Sequence, residues 1–270
     1  MNEIKKKQHY VPRMFLSQFT DSDGKCWEYN LNSHKICKKR VEELCASNFL
    51  YEIRDENGKF IFPDGLNKVE NSFSKLEDFY KGYLTELLMK IEGKTTVDLN
   101  EDDSEFICMW FSLLIIRNPL IKKAIPIVSK DFGVVEMDEK SQSYNFISLM
   151  AREFNYFTKE MKKGHIQFLK CSDYKSFVIT DMPVWIANPI YDGSYLPISS
   201  KYAIQINKSE MILTNCMKCE VKELTSEQTD EMNNMMFGAI RSIKVSEFDF
   251  GNSVIANDEY VLRHMLKTCF

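Results

Sequence analysis

The spacing of apolar and polar residues changes along the chain, and each change predicts a different element. Residues 25 to 41 read KCWEYNLNSHKICKKRV, in which two β-prone arms flank the polar turn NLNSH. This pattern predicts a hairpin, and the CASNFLYEI that follows predicts another strand. From Leu66 to Ile91 apolar residues recur every three or four positions, which predicts an amphipathic helix.

The next segment predicts a buried helix at the centre of the fold. Asn100 can cap it, and acidic residues fill its first turn. FICMWFSLLII, residues 106 to 116, is apolar on nearly every side, as expected for a helix surrounded by protein. It ends at RNP, because Pro119 disfavours the helical conformation of Asn118. Further helices are predicted at 119–130 and 140–163.

After Gly164 the pattern becomes short, β-rich and interrupted by turn residues. The predicted strands are HIQFLKC, SFVIT, VWIANP, YLPIS, YAIQIN and EMILTN. Two helices, at 225–242 and about 258–267, follow. The order of strands, helices, strands and helices, without repeated βαβ units, predicts an α+β fold.

We expect a single domain over residues 1–270, in which a central helical layer packs on a mostly antiparallel sheet. A subdivision near residue 164 is the alternative, with a helical part and N-terminal hairpin at 1–164 and a sheet-rich part at 165–270. No linker rich in Gly, Pro or Ser marks that boundary.

Composition narrows the class of protein. The 270 residues are 44% hydrophobic and 27% charged, as in ordinary globular proteins. A formal net charge of −4 argues against a protein that coats nucleic acid through bulk charge, although a local basic patch stays open. The basic N-terminus precedes no apolar signal segment, and no apolar run approaches the roughly 20 residues that span a bilayer. We therefore expect a cytoplasmic protein without a membrane partner.

Any chemistry must come from scattered residues, because glycine-rich phosphate loops and the common catalytic motifs are missing. His9 lies in KKQHYVPRMFLSQF, on irregular backbone before a short helix that Pro12 can open. A neutral imidazole there can bind a metal ion or act as a general base. Alternatively, His9 hydrogen-bonds local backbone and fixes the entry to the helix.

Four charged residues stand at the ends or flanks of predicted elements. Asp181 follows the strand in VITDMPV, where it can present a ligand or base, or close an Asx-turn. Arg117 emerges from the end of the buried helix, where it can bind phosphate or stabilise the helix C-terminus. Glu70 and Glu77, two turns apart on one helix, can be metal ligands or a solvated flank.

Two polar residues complete the candidate set as substrate contacts. Tyr10 directly follows His9. Asn233 lies inside a methionine-rich helix, where asparagine has poor helix propensity and therefore suggests a polar pocket.

Several stretches together resemble a bacterial family of unknown function with an H-Y-V-P motif near its N-terminus. In chain order they are QHYVPRMFLSQF, CWEYNLNSHKICKKRVEELCASNFLY, VENSFSKLE, IIRNP, FVITDMPV, YLPISSKYAIQIN and MNNMMFGAIRSI. Three positions depart from the family's pattern: Thr180 directly precedes Asp181 without the usual serine, Asn118 replaces a threonine, and LPIS lacks a second proline. The resemblance implies no activity, but a set of one histidine, several carboxylates and one arginine is more typical of a catalytic pocket than of packing.

We therefore expect a metal-assisted phosphodiester hydrolase of the nuclease type, acting on RNA or DNA and serving as a bacterial defence or toxin-type effector. His9 and Asp181, with Glu70 or Glu77, would hold Mg²⁺ or Mn²⁺, which would activate water. Arg117 would hold the phosphate.

Three alternatives stay open. His9 can be the general base of a metal-free hydrolase, with Arg117 as electrophile. The same pocket can bind a nucleotide or small anion without turnover, through Arg117 and Tyr10. A third alternative is an interaction or adaptor subunit whose contact face carries Met232, Met235, Met236 and Phe237. The oligomeric state does not follow from the sequence.

Overall fold

The structure, a computed structural model, describes residues 6–62, 66–131, 137–208, 216–242 and 253–269. The helices are α1 (Arg13–Leu16), α2 (Lys68–Ile91), α3 (Glu101–Ile116), α4 (Pro119–Asp131), α5 (Glu139–Met161), α6 (Ser226–Ser242) and α7 (Glu259–Cys269). The strands are β1 (Lys7–His9), β2 (Lys25–Asn30), β3 (Lys35–Arg40), β4 (Ala46–Asn48), β5 (Thr96–Asn100), β6 (Gly164–Lys170), β7 (Ile179–Thr180), β8 (Ser194–Pro197), β9 (Tyr202–Lys208), β10 (Cys216–Glu223) and β11 (Ser253–Ala256).

The described strands form three sheets. A five-stranded sheet has the order β5-β10-β6-β9-β8, a four-stranded sheet has the order β3-β2-β11-β7, and β1 pairs with β4. All pairs are antiparallel except β10 with β6. Both large sheets join strands from either side of residue 164, since β5 pairs with β10 and β2 with β11. The predicted α+β single-domain fold with mostly antiparallel sheets is confirmed.

Helix α3 is the buried centre of the helical layer, as its composition predicts. Its N-terminus is closed by a capping box: the Asn100 side chain accepts from the Asp103 amide at 2.7 Å, and the Asp103 carboxylate accepts from the Asn100 amide at 3.1 Å. From Ile107 to Ile116 nearly every residue is buried. Each large apolar side chain buried here contributes about 1.5–3 kcal/mol. Pro119 then begins α4.

The buried apolar residues of the described ranges form two clusters. The larger one combines α2, α3 and α5 with the five-stranded sheet. The smaller one combines β2 and β11 with α6 and α7. Met236 and Phe237 are buried in this smaller core, and Met232 and Met235 pack against it. The methionine-rich face of α6 is therefore core packing, as methionine stripes usually are.

Local predictions differ from the structure at a few places. The hairpin is confirmed, and its turn places His34 at a φ of +54°. In CASNFLYEI only Ala46–Asn48 is a strand. His9 lies on β1, paired with Ala46, rather than on irregular backbone, because β4 supplies backbone partners from a distant segment. The predicted strand EMILTN, at 210–215, lies outside the described residues.

Within the described ranges, no single helix combines the length and apolarity needed to cross a membrane. Helix α3 and the part of α4 up to Pro126 are long and apolar enough only when taken together. The two helices are bent by 52° at the break between them.

Candidate functional site

Arg117, at the C-terminal end of α3, is fully buried and joins three distant segments of the chain. Its Nη1 donates to Glu77 Oε1 at 2.7 Å, its Nε donates to the Tyr51 hydroxyl at 3.2 Å, and its Nη2 donates to the backbone carbonyl of His9 at 2.5 Å. The ring of Phe73 lies 4.3 Å from the guanidinium carbon and adds a cation–π contact. This end of the helix is thus fixed to α2 and to β1.

The groups around Arg117 favour the charged form of its side chain. Burial lowers the pKa of Arg117, but Tyr51 and Glu77 outweigh that effect and raise the pKa above its usual value. Burial also raises the pKa of Tyr51 to about 12, so its hydroxyl is neutral and keeps its proton at pH 7. That hydroxyl accepts from Arg117 and lies 3.5 Å from the His9 carbonyl, to which it donates. The pair Arg117 and Tyr51 therefore holds the backbone of His9.

This placement changes the interpretation of Arg117. From the sequence we expected the side chain to emerge from the end of the helix and to hold a phosphate. Instead the side chain is buried, and each of its three nitrogens donates to a protein acceptor. Helix α3 ends inside the core rather than at the surface, because α2 and β1 cover its C-terminus. Phosphate binding by Arg117 stays a prediction, while the contact that the structure contains is with the His9 backbone.

The imidazole of His9 has two nitrogens in different surroundings. Its Nε2 is buried and has no hydrogen-bond partner among the described residues. The ring hydrogen-bonds the backbone of Glu42, and this bond must use Nδ1 because Nε2 has no partner. The Lys7 ammonium also donates to the Glu42 carbonyl. Nδ1 therefore carries the proton, and the lone pair stays on Nε2.

Electrostatics keep this imidazole neutral. Burial, followed by the positive charges of Arg13 and Lys7, lowers the pKa of His9 to about 4, and Arg117 contributes in the same direction. At pH 7 the ring is therefore uncharged. A neutral imidazole with Nδ1–H held by a carbonyl presents Nε2 as a base or as a ligand.

Asp181 lies close to Tyr10, the residue that follows His9. It is 3% exposed, its amide donates to the Ser253 carbonyl at 3.1 Å, and its carbonyl accepts from the Asn118 side chain at 2.9 Å. After burial, the charge of Asp181 is among the effects that raise the pKa of Tyr10 and of Cys45. Asp181 therefore shares a buried region with Tyr10, next to the end of α3.

Glu70 and Asn233 occupy different surroundings. Glu70 lies in the first turn of α2, and its charge is one of the effects that raise the pKa of Tyr51. In α6, Asn233 accepts from the Val178 amide at 3.0 Å and donates to the Ser176 carbonyl at 2.9 Å. Asn233 thereby holds the extended segment before β7, and its role as a substrate contact stays a prediction.

The residues expected to hold a metal ion form no group of three or more ligands in the described part of the chain, and metal binding stays a prediction. Among the described residues, no three or more His, Cys, Asp or Glu side chains are close enough together to hold a metal ion. The four expected ligands, His9, Glu70, Glu77 and Asp181, are all described and form no such group. Glu77 instead pairs with Arg117.

Gln8 and Glu52 hold β1 in place, although neither residue stands out in the sequence. Gln8 is fully buried; its Nε2 donates to Glu52 Oε1 at 3.0 Å, and its Oε1 accepts from the Tyr51 amide at 2.8 Å. Glu52 also accepts from the Asn67 amide at 3.0 Å. A glutamine between Lys7 and His9 carries no sequence signal for burial, because polar residues are usually exposed.

Comparison with known proteins gives a family without an assigned activity. The profile of a family described as "Protein of unknown function (DUF4238)" matches residues 7–164, which is more than half of the chain. The chain belongs to this family. The matched range includes His9 and Arg117 and ends before Asp181. No curated protein and no solved structure matches the chain. The prediction of a family of unknown function is confirmed, while its H-Y-V-P signature and bacterial origin stay predictions.

Proposed function

We propose that this DUF4238 protein is a phosphodiester hydrolase of the nuclease type, in which His9 is the general base. The observation that carries the proposal is the buried Nε2 of His9, which has no hydrogen-bond partner among the described residues, while Nδ1 is held by the Glu42 backbone. Once substrate binding opens a path to this buried atom, its lone pair can take a proton from a water molecule or from a ribose hydroxyl.

The charges near His9 suit an anionic substrate. Lys7 and Arg13 are exposed, and both are close enough to lower the pKa of His9. Cations beside a base attract phosphate and stabilise the negative charge that develops on it during hydrolysis. Lys7 and Arg13 therefore take the phosphate-binding role that the sequence had suggested for Arg117.

A pKa of about 4 makes the free imidazole a weak base at neutral pH. A bound phosphate would add negative charge beside Lys7 and Arg13 and would raise the pKa of His9. The proposal therefore includes a base that strengthens when the substrate binds. Arg117 is a positioning residue in this scheme, because it contacts only the His9 backbone and other protein groups.

The experiment is a cleavage assay on labelled RNA and DNA, with magnesium, with manganese and with a chelator. Wild-type protein is compared with His9→Asn, whose amide retains a donor for the Glu42 carbonyl but has no base at the Nε2 position. His165→Asn is the matched control, since His165 lies on β6 within a different sheet. We expect cleavage by the wild type and the control and loss of cleavage in His9→Asn.

Each other outcome is informative. Cleavage that requires a metal and disappears in Asp181→Asn as well as in His9→Asn would support the metal-assisted version expected from the sequence. Equal cleavage by all proteins indicates contamination and contradicts the proposal, as does the absence of cleavage under every condition.

A second function is the binding of a nucleotide or small anion without turnover. The positive charges of Lys7 and Arg13 beside His9 favour it as well. It predicts that inorganic phosphate or a nucleotide raises the pKa of His9, observable by NMR titration, although no substrate is cleaved. A pKa that does not change with either ligand would contradict both functions at this site.

A further inference from the structure

Three titratable side chains from distant parts of the chain meet outside the surroundings of His9. Lys175 lies in the β6–β7 connection, residues 171–178, while Asp230 lies on α6 and His264 on α7. The Lys175 ammonium is 2.9 and 2.8 Å from the two carboxylate oxygens of Asp230. The Nε2 atom of His264 is 2.8 Å from the same ammonium and 3.1 Å from Asp230 Oδ2. None of the three acts in the proposed hydrolase, so the inference that follows is independent of it.

The two neighbours of His264 Nε2 make opposite demands on that atom. An ammonium group has only donors, and an ionised carboxylate has only acceptors. The contact with Lys175 therefore needs a lone pair on Nε2, whereas a hydrogen bond to Asp230 needs a proton on Nε2. One atom cannot serve both partners. In the arrangement with Lys175 at 2.8 Å, the ring is neutral and carries its proton on Nδ1.

A proton on Nε2 reverses the pairing. The imidazolium donates to Asp230 Oδ2, which is already 3.1 Å away, and stands beside the like charge of Lys175. Two like charges at such a short distance repel each other. The side chains of the cluster are 16% to 33% exposed, so solvent protons reach them and the flexible stem of Lys175 can turn toward water. Histidine is the side chain that ordinarily changes charge between about pH 5 and 8.

The other groups around His264 leave this competition to the three residues. The ring of Tyr260, one turn earlier on α7, lies nearly parallel to the imidazole, with the ring centres 6.1 Å apart. Among the described residues, Asp230 is the only carboxylate within ion-pair distance of His264. The remaining charged or titratable side chains on the packed elements are exposed, buried or paired elsewhere: Cys171, Asp173, Tyr174, Glu227, Glu231, Asp258, Glu259, Arg263, Lys267 and, on β2, Lys25, Cys26, Glu28 and Tyr29. Strand β11, which also packs on α7, contains no titratable residue.

We propose that Lys175, Asp230 and His264 form a pH-sensitive clamp on the β6–β7 connection. While His264 is neutral, Lys175 bridges Asp230 and the imidazole and fixes the connection to α6 and α7. When His264 takes a proton, it replaces Lys175 on Asp230. Helices α6 and α7 then stay joined, and the part of the connection around Lys175 loosens.

Two backbone amides of the connection report on the clamp. The Lys175 amide donates to the Ser172 carbonyl at 2.9 Å and lies in the part that the clamp fixes. The Val178 amide donates to the Asn233 side chain at 3.0 Å, a contact that does not involve the clamp. Release of the clamp should therefore expose the first amide and not the second, whereas global unfolding would expose both.

An NMR series on the full chain between about pH 8 and pH 5 tests the proposal. It follows the ring signals of His264 and the hydrogen exchange of both amides, corrected for the intrinsic effect of pH on exchange. We expect the protection of the Lys175 amide to fall about tenfold across the midpoint at which the His264 ring titrates, as for the loss of one charge-assisted hydrogen bond. The Val178 amide should keep its protection.

Three variants separate the clamp from simple packing. His264→Gln stays neutral at every pH, and its amide can still contact Lys175 or Asp230, so the pH-dependent loss of protection should disappear. His165→Gln, on β6, is the matched control and should behave as the wild type does. In Lys175→Met the His264 ring should titrate at higher pH than in the wild type, because a like charge has been removed beside it. Circular dichroism shows that each variant is folded.

The clamp is refuted if the Lys175 amide is equally protected on both sides of the His264 midpoint, or if His264 does not titrate in this pH range. It is also refuted if His264→Gln keeps the pH dependence of the wild type. An unchanged ring titration in Lys175→Met would show that Lys175 and the proton do not compete for Nε2, and it would overturn the proposal as well.

Discussion

Arg117 and Lys201 show two ways in which this protein places a cation near its interior. Arg117 is fully buried, pairs with Glu77 and donates to two further protein oxygens. Lys201 is exposed at the edge of a cavity and has no carboxylate partner among the described residues. A buried charge surrounded by protein acceptors stabilises the fold strongly, whereas an exposed charge without a carboxylate partner contributes little to stability.

The largest effect is expected from removing the buried guanidinium. Arg117→Met should lower the free energy of unfolding by about 3–5 kcal/mol, the usual loss when a buried ion pair loses one partner. Arg117→Lys should not restore stability, because one ammonium cannot reach Glu77, Tyr51 and the His9 carbonyl together. Chemical denaturation measures both variants, and a loss below about 1 kcal/mol in Arg117→Met would contradict a structural role for this cluster.

Removing the carboxylate partner should have a smaller effect. Glu77→Gln leaves the charge of Arg117 without its counterion, but the Glu77 side chain is 21% exposed, so water can compensate part of the loss. We expect a decrease of about 1–3 kcal/mol in the free energy of unfolding. Glu86→Gln, on an exposed position of the same helix, should change it by less than about 0.5 kcal/mol. Equal effects of the two variants would show that the ion pair does not stabilise the fold.

His9 should make stability depend on pH in the acidic range. Its pKa falls from 6.5 to about 4 on folding, so the folded protein binds fewer protons than the unfolded chain between these values. The stabilisation is fully present above about pH 6.5, decreases as the pH falls and is lost below about pH 4. Denaturation at a series of pH values should show a shallower decrease for His9→Asn than for the wild type, while His165→Asn should follow the wild type.

The smallest effect on stability is expected at the cavity. Lys201→Met should change the free energy of unfolding by less than about 0.5 kcal/mol, because the ammonium is exposed and unpaired among the described residues. If Lys201→Met lowered the free energy of unfolding as much as Arg117→Met does, both cations would have a structural role.

Elements with a local cause could be predicted closely. The hairpin at β2 and β3 follows from β-prone arms around a polar turn, and α3 follows from its cap and its all-round apolar surface. These features depend on neighbouring residues only. The burial of Arg117 could not be predicted in the same way, because its contact with the His9 carbonyl joins residues 108 positions apart.

In the candidate site, too, the sequence indicates a single residue but not its contacts with distant segments. The sequence drew attention to His9, and the structure contains a neutral imidazole there, whose buried Nε2 has no hydrogen-bond partner among the described residues. It did not indicate that the Glu42 backbone would fix the protonated nitrogen of His9, nor that the positive charges of Arg13 and Lys7 would lower its pKa. The residues predicted to bind metal share only their residue type, and residue type does not tell which side chains come together in the fold.

Local sequence patterns were enough to predict the main order of strands and helices and the buried position of α3. Periodicity, caps and turn residues act over a few positions, so they are readable along the chain. The burial of Arg117 and the exposure of Lys201, in contrast, follow from the packing of distant segments. That choice depends on which distant oxygens are available to pair with each charge when the sheets and helices pack, and a buried charge requires such partners.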